Sequence, residues 1–367
     1  MKSLCRFACL LFFSITAWAA GIDVLANIPA DIGAEARILR AEREGYWEKV
    51  LVVSFPDARR TLSTSDGLLE ARAALNHAGH PQLWQKVSTQ FMGQDGRGGK
   101  AYAEHVHENV AGLLHLDKSA VARMSTAADL DNLAVITKSY GPLTVTVLAT
   151  AGARTNALRT GVDAGTYIEG STPAGTINIM LLTNIRLTDA AMARALITVT
   201  EGKTAALQDL KVPSTYTKTV QATGTGTDSI IVVSGRQGPQ ASYTGGHSRI
   251  GELIGKASYE AVVAALGKQD GFFLSGEKRF AVAAAAPANW PPVEGMGPGD
   301  LWERRSAETG LPLIVNNRTG REPELDFSLG ESVVAVGGER LFSFSAGQSR
   351  LFYVDWDRRQ GFSQPAP

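Results

Sequence analysis

The densest chemistry in this sequence lies in Ala222-Thr223-Gly224-Thr225-Gly226-Thr227-Asp228. Alternating Thr and Gly lets a backbone approach a ligand closely while hydroxyls and amide N–H groups converge, the ingredients of an anion or oxyanion site. Asp228 is placed to orient a base or to hold a ligand amide. The same composition also suits a Gly-rich connector with solvent-facing threonines. No Gly-Lys-Ser/Thr closes the segment, so a Walker phosphate loop is not supported. Three further polar stretches sit at the ends or on the flanks of predicted elements: Thr150-Ala151-Gly152 with Asn156-Ala157, Pro173 to Ile179, and Thr200-Glu201-Gly202-Lys203-Thr204.

Glu201 and Lys203 are two apart on a predicted helix, so they point to different faces and only one of them meets any given pocket. His247, after Gly245-Gly246, and His77, after Asn76, are candidate general bases, because imidazole titrates near neutral pH. His105, His107 and His115 raise a metal reading. His105 and His107 share a face only if their segment is extended, and Ala101 to Leu114 reads equally well as helix, so no metal site is assigned. No Gly-x-Ser-x-Gly nucleophile elbow is present.

The elements that must position these groups are strands and helices interleaved with short Gly-rich joints. β-branched or apolar runs predict strands at Lys49 to Phe55, Leu133 to Thr137, Leu143 to Thr150, Thr176 to Leu182 and Ser229 to Val233. Thr188 and Ser248 open helical patterns that run to Leu210 and Leu266. Tyr140-Gly141-Pro142 is a tight turn that favours antiparallel pairing. The reading is a layered α+β fold with a mixed sheet, with a doubly wound α/β fold as the alternative. Val24 to Arg43 reads as a leader with helical character. The expected division is residues 20–46 as leader, 47–270 as the main domain, 271–300 as a Pro/Gly/Ala-rich linker and 301–367 as a small β-rich extension. Within the extension Ser332 to Val336, Leu341 to Phe344 and Leu351 to Val354 form a meander, and Gln360 to Pro367 is a frayed tail.

Lys2 and Arg6, the apolar run Phe7 to Thr16 and Ala17-Trp18-Ala19 together read as a secretory signal peptide over residues 1–19. The run is short for a membrane anchor. The expectation is a protein exported across the inner membrane to the periplasm, without stable membrane insertion after cleavage. The 2 cysteines, Cys5 and Cys9, fall inside that leader, so a thiolate nucleophile or cysteine-ligated metal is excluded from the mature chain. With 36 basic and 36 acidic residues, and Lys2 and Arg6 lost with the leader, the mature chain is slightly acidic. A nucleic-acid partner, which needs a basic field, is not expected. The expected partner is a small molecule.

Taken in order, Leu62-Ser63-Thr64-Ser65, Asn76-His77, Met124 to Asp129, Thr150-Ala151-Gly152 with Asn156-Ala157, Gly175 to Ile179, Leu187 to Ala190, Thr200 to Lys203, Ala222 to Asp228 and Gly246-His247 resemble the motif series of the adenosylcobinamide amidohydrolases over about Lys49 to Leu266. The resemblance implies hydrolysis of the amide that joins the corrin ring system to its aminopropanol arm, giving adenosylcobyric acid for salvage. It implies catalytic roles for His247, Glu201 and Asp228. It also implies substrate binding by His77, Thr126, Asn156, Thr176, Asn178, Lys203, Thr223, Thr225 and Thr227. No cofactor is implied, since the cobalt belongs to the corrinoid substrate, and a functional link to a corrinoid uptake system is expected. A non-catalytic exported corrinoid-binding protein is the alternative.

Overall fold

Alternating small and branched residues make this chain fold as strands wherever one face can be buried. The computed structural model describes residues 21–25, 28–90, 98–165 and 175–274, together with the strands of a C-terminal unit. The signal-peptide reading at residues 1–19 and the prolines from Pro287 to Pro298 lie outside the described residues. The chain divides into units at Ser275/Gly276. In the first unit the strands are β1 (Gly21–Leu25), β2 (Glu35–Arg43), β3 (Tyr46–Ser63), β4 (Gly67–Gly79), β5 (Val121–Thr126), β6 (Ala134–Tyr140), β7 (Leu143–Ala151), β8 (Ile177–Thr183), β9 (Ile185–Leu187), β10 (Ser229–Val233) and β11 (Gln237–Ala241). The helices are α1 (Pro81–Gln90), α2 (Gly98–Leu113), α3 (Asp189–Asp209) and α4 (Arg249–Asp270).

A 9-stranded mixed sheet has the order β1-β2-β3-β10-β8-β7-β6, with β4 paired to β3 and to β5. β4/β5 and β8/β10 are parallel, and the connections between them run through α1 with α2 and through α3. The fold is therefore α+β, with both parallel and antiparallel ladders.

β3 turns this sheet on itself. Its first half pairs with β2 and β4, and its last residues, Thr61 to Ser63, pair with β10. Between Ser54 and Arg59 the register breaks, so that Phe55 to Ala58 stand opposite the single residue Arg72. Extra residues on one strand bend it and increase its twist. The two halves of the sheet consequently face one another. Ile38, Leu51, Val53, Ala74 and Met124 of one half are buried with Leu148, Met180, Leu182 and Ile231 of the other. The outer face of the first half packs under α1 and α2 through Val50, Leu75, Leu83, Tyr102 and Val106. The outer face of the second packs under α3 and α4 through Val147, Ile179, Leu181, Val199 and Ile254.

The helix starts are local chemistry. Thr188 Oγ1 accepts from Ala191 N at 3.2 Å and Ser248 Oγ from Gly251 N at 3.1 Å, the N-cap bonds that satisfy otherwise orphaned donors. α4 ends at Gly271, whose φ of 72° suits a residue without Cβ. The segment from Ala101 to Leu114, ambiguous by sequence, is helical as far as Leu113.

Three sequence expectations change. The helical reading of Val24 to Arg43 gives way to β1 and β2, which belong to the main sheet: Glu35–Arg43 is tied along its whole length to Tyr46–Ser54. Ala281–Ala284, expected in a linker, is a strand parallel to Leu313–Asn316 within the C-terminal unit. That unit also contains Glu331–Val336 paired with Glu339–Ser345, and Arg350–Asp355 paired with Gln360–Pro365, so the segment expected to fray is strand for most of its length.

Gly202 lies where α3 crosses α4. A Cβ there would stand 2.8 Å from the Gly255 carbonyl oxygen and 3.3 Å from Ser258 Cβ. Alanine gains about 1 kcal/mol of helix propensity over glycine, but overpacking costs about 1–3 kcal/mol. Gly202→Ala is therefore expected to lower the thermal unfolding midpoint, and a raised midpoint would show the crossing to be looser than described.

Candidate functional site

Polar residues buried inside the curled sheet collect at the end where β8 and β10 begin. Asn178 and Thr150 are cross-strand partners on β8 and β7. Asn76 of β4 reaches across from the opposite half. Its Nδ2 donates to Thr150 Oγ1 at 2.9 Å, and its Oδ1 accepts from Asn178 Nδ2 at 2.9 Å. Asn178 Nδ2 donates also to the Ser125 carbonyl at 3.0 Å, and Asn178 Oδ1 receives Thr176 Oγ1 at 3.3 Å. Asn178 is 0% exposed. Both of its amide hydrogens and its carbonyl are engaged, so it ties the two halves of the sheet together and has no hydrogen left for a ligand.

One step outward stands Asp228, at the entry to β10. Its carboxylate accepts from Ile177 N at 3.1 Å and Thr225 N at 3.3 Å, from the Thr225 hydroxyl, and from Lys203 Nζ of α3 in a close ion pair. Lys203 is 6% exposed. Gly224 makes room for this pair: a Cβ there would lie 2.5 Å from Asp228 Oδ2 and 2.8 Å from Lys203 Nζ. A carboxylate receiving this many donors is held in one orientation, and a buried ion pair repays its desolvation only when such extra bonds are present.

The mouth of the cluster is formed by Thr227, which is exposed. Its hydroxyl donates to the Gly175 carbonyl at 2.8 Å, and Asn156 Nδ2 donates to that carbonyl at 3.0 Å and to Thr227 Oγ1 at 3.3 Å. Tyr216 OH donates to Asn156 Oδ1 at 2.9 Å. Thr176 Oγ1 donates to the Thr227 carbonyl at 2.6 Å. Thr223 braces the loop from behind, accepting from Thr160 N at 3.0 Å. Gly175, with φ of 138°, permits the close approach of these strands, since a Cβ would meet Thr155, Asn156 and the Gly152 carbonyl within 3.2 Å.

The structure thus brings together Asn156, Thr176, Asn178, Lys203, Thr223, Thr225, Thr227 and Asp228. It does not bring in His247 and Glu201. His247 is exposed ahead of α4, at the end of the sheet where β8 and β10 finish, near Thr244, whose hydroxyl bonds the Ala191 carbonyl early in α3. Glu201 is exposed on the face of α3 that turns away from Lys203. Thr126 closes a turn at the end of β5, its Oγ1 accepting from Ala128 N at 3.0 Å.

His77 neighbours Asn76 on β4, and so points to the opposite face, under α1 and α2. There its Nε2 bonds Glu48 Oε1 at 2.9 Å, with Tyr102 OH donating to the same oxygen and Arg43 Nε to Glu48 Oε2 at 3.3 Å. The Trp84 ring lies 5.1 Å from His77. This is a core cluster on the far side of the strand. Burial opposes ionisation of Glu48, but the hydrogen bond and charge of His77, the Tyr102 hydroxyl and the Arg43 charge outweigh it and hold the carboxyl below its ordinary value. Burial and the Glu48 charge push the Tyr102 phenol up, so it stays a donor.

The three clustered histidines diverge. His105 Nε2 meets Asn109 Nδ2 at 3.0 Å, His107 Nε2 meets the Val121 carbonyl at 2.9 Å, and His115 lies in the turn after α2 with φ 53°. Asn76, Thr150 and Ser125, named by sequence only as motif positions, turn out to be central, and Tyr216 went unread. The signal for Asn76 was a polar residue in the buried stretch of an otherwise alanine-rich strand.

Fold and site together define a curled-sheet α+β protein in which a helix-borne lysine and a strand-end carboxylate are locked beneath a Thr/Gly loop. A model of the adenosylcobinamide amidohydrolases matches residues 35–272, and the chain belongs to that family. An uncharacterized protein of Methanocaldococcus jannaschii is 40% identical over 236 residues, covering 60% of this chain and 87% of that protein. An adenosylcobinamide amidohydrolase of Halobacterium salinarum is 29% identical over 201 residues, covering 50% of this chain and 80% of the relative. Among solved structures, the PH0078 protein of Pyrococcus horikoshii is similar at 10% identity, covering 60% of this chain and 78% of its own, with a TM-score of 0.30.

Asn178→Asp keeps the shape of the side chain but points an acceptor at the Asn76 and Ser125 oxygens. With each unmet buried partner costing about 1–3 kcal/mol, it is expected to destabilise at least as much as Asn178→Ala in urea unfolding; a near-neutral Asp variant would contradict the assigned bonds. The depressed Glu48 pKa contributes stability that is present above the ordinary value of 4.5 and is lost as pH falls from there toward the folded-state value, because the unfolded chain binds the proton first. Glu48→Gln should flatten the acid limb of stability against pH, and unchanged slopes for the two proteins would remove Glu48 from that role.

Proposed function

We propose that this protein hydrolyses the amide joining the corrin ring system to the aminopropanol arm of adenosylcobinamide, giving adenosylcobyric acid and free aminopropanol. The observation that carries this reading is the convergence of motif residues from β4, β7, β8, α3 and the loop before β10 on one network, in a chain of the adenosylcobinamide amidohydrolase family.

Amide hydrolysis adds water oxygen to the carbonyl carbon, places negative charge on the carbonyl oxygen, and then breaks the C–N bond as the amine takes up a proton. Lys203 supplies a buried positive charge against the backbone of Gly224 in the Thr/Gly loop. Asp228 fixes that ammonium and the Thr225 hydroxyl. Thr227, exposed at the mouth and held there by buried Asn156, suits a polar group of a corrinoid side arm. His247 and Glu201 have no part in this arrangement. The corrin cobalt is substrate, and the chemistry asks for no metal held by the protein. The basic-then-apolar start of the sequence supports the further proposal that this step takes place outside the cytoplasm, before a corrinoid uptake system.

One observation favours a second reading. Asp228 and Asn178 are saturated by internal hydrogen bonds, as suits a rigid binding pocket, so a non-catalytic exported corrinoid-binding protein is the alternative. The two separate on turnover. The full chain incubated with adenosylcobinamide is expected to release aminopropanol and adenosylcobyric acid by mass spectrometry, with or without chelator. Lys203→Met should lower the rate by about 10²-fold or more, the scale of removing an oxyanion donor, and His247→Ala should leave it nearly unchanged. Tight binding without release would select the carrier, and neither binding nor release would sink both readings.

A further inference from the structure

The bulge that bends β3 also opens a cavity of about 380 Å³, lined by Asp31, Asp57, Arg59, Asn184, Arg236 and Gln237 among others. It lies at the far end of the sheet from Asp228. Asn178 near the start of β8 and Asn184 just past its end are about 20 Å apart by strand rise, so this cavity is separate from the polar network and independent of the reading given to it.

It is lined by a buried guanidinium, Arg59, that forms no ion pair with any carboxylate of the described residues. Arg59 is 6% exposed. Its guanidinium donates to the carbonyls of Ile32 at 2.6 Å, Gly33 at 3.1 Å and Ser234 at 3.1 Å. These are neutral acceptors, and no carboxylate among the described residues forms an ion pair with it. A guanidinium has five N–H groups, so the three bonds leave donors to spare. The nearby acids are engaged elsewhere. Asp57 pairs with Arg236 at the rim. Asp31 Oδ2 receives the Thr144 hydroxyl at 2.5 Å and Asn184 Nδ2 at 3.0 Å. Burial first, then the like charge of Arg236, push the Arg59 guanidinium below its ordinary value against the weaker attraction of Asp57. A buried cation lacking a paired anion is costly, and two guanidiniums beside one cavity are suited to an oxyanion, which they bind by charge-assisted and bidentate hydrogen bonds.

We propose that this cavity is a binding site for a small organic anion whose carboxylate or phosphate group is received by Arg59 and Arg236. The volume is at the low end for ligand pockets, enough for a compact metabolite and too small to enclose a corrin ring system.

The test is calorimetric titration of the full chain at constant ionic strength with inorganic phosphate and, separately, with citrate, using chloride as the control. Saturable binding of at least one is expected, and the stronger arm identifies the preferred oxyanion. Because Arg59 also clamps three carbonyls, its replacement can unfold the protein, so the deciding variants lie at the rim. Arg236→Gln should weaken binding at least fivefold. Asp57→Asn, which frees Arg236 and removes a negative charge, should tighten it at least twofold. Failure of both anions to bind, or binding that both rim variants leave unchanged, overturns the site.

Discussion

A single strand, β3, has to belong to two layers of sheet at once, and the geometry of the molecule follows from how it does so. Straight β-sheet cannot bury both faces of its own hydrophobic strands without help from helices. By looping Phe55 to Ala58 out opposite Arg72, β3 carries its hydrogen-bonding edge from the β2/β4 layer to β10. The two halves then enclose a shared core, and helices cover each outer face. Asn76 comes opposite Asn178 and Thr150 only because of that bend.

The network that results is built in ranks. The innermost amides of Asn76 and Asn178 satisfy one another and hold the layers in register. The middle rank, Asp228 with Lys203 and Thr225, fixes a charge pair that would be unfavourable without its additional donors. The outermost is the exposed Thr227, held by buried Asn156 and the Gly175 carbonyl. Each rank orients the next, so that the exposed hydroxyl is held by groups that are themselves immobilised. Half-satisfied networks of this kind are unstable, and here the side-chain amides of Asn76 and Asn178 have their partners.

Much of this was legible in the sequence where local chemistry decides structure. The β-branched run at Ser229 to Val233 and the capped starts at Thr188 and Ser248 are strand and helices as read. Thr225, Thr227, Asp228 and Lys203 were visible as candidates because Gly/Thr alternation and a motif series marked them. What failed did so for tertiary reasons. Glu35 to Arg43 mixes apolar residues and arginines at spacings that fit a helix, and becomes strand because Tyr46–Ser54 pairs with it. Alanine favours helix in isolation, yet the alanines of Gly67–Gly79 and Ala281–Ala284 are in sheet, where small side chains suit closely packed layers. His77 and His247 looked equivalent as candidate general bases. No local pattern told that one would be spent on Glu48 in the core and the other left at the opposite end of the sheet.

The pairing of β3 with β10 joins residues from opposite halves of the domain, and the parallel ladders β4/β5 and β8/β10 each close only after their helices have formed. Such non-local contacts carry a large entropic cost that is repaid late, and they slow folding. Asn178 therefore meets Asn76 only once both halves of the sheet have been assembled, whereas Asp228 meets Ile177 and Lys203 within the single segment that runs from β8 through α3 to β10. A chain that has folded only this segment holds the Asp228–Lys203 pair without the amides that tie it to the other half of the sheet, so the complete site is present only when the fold is complete.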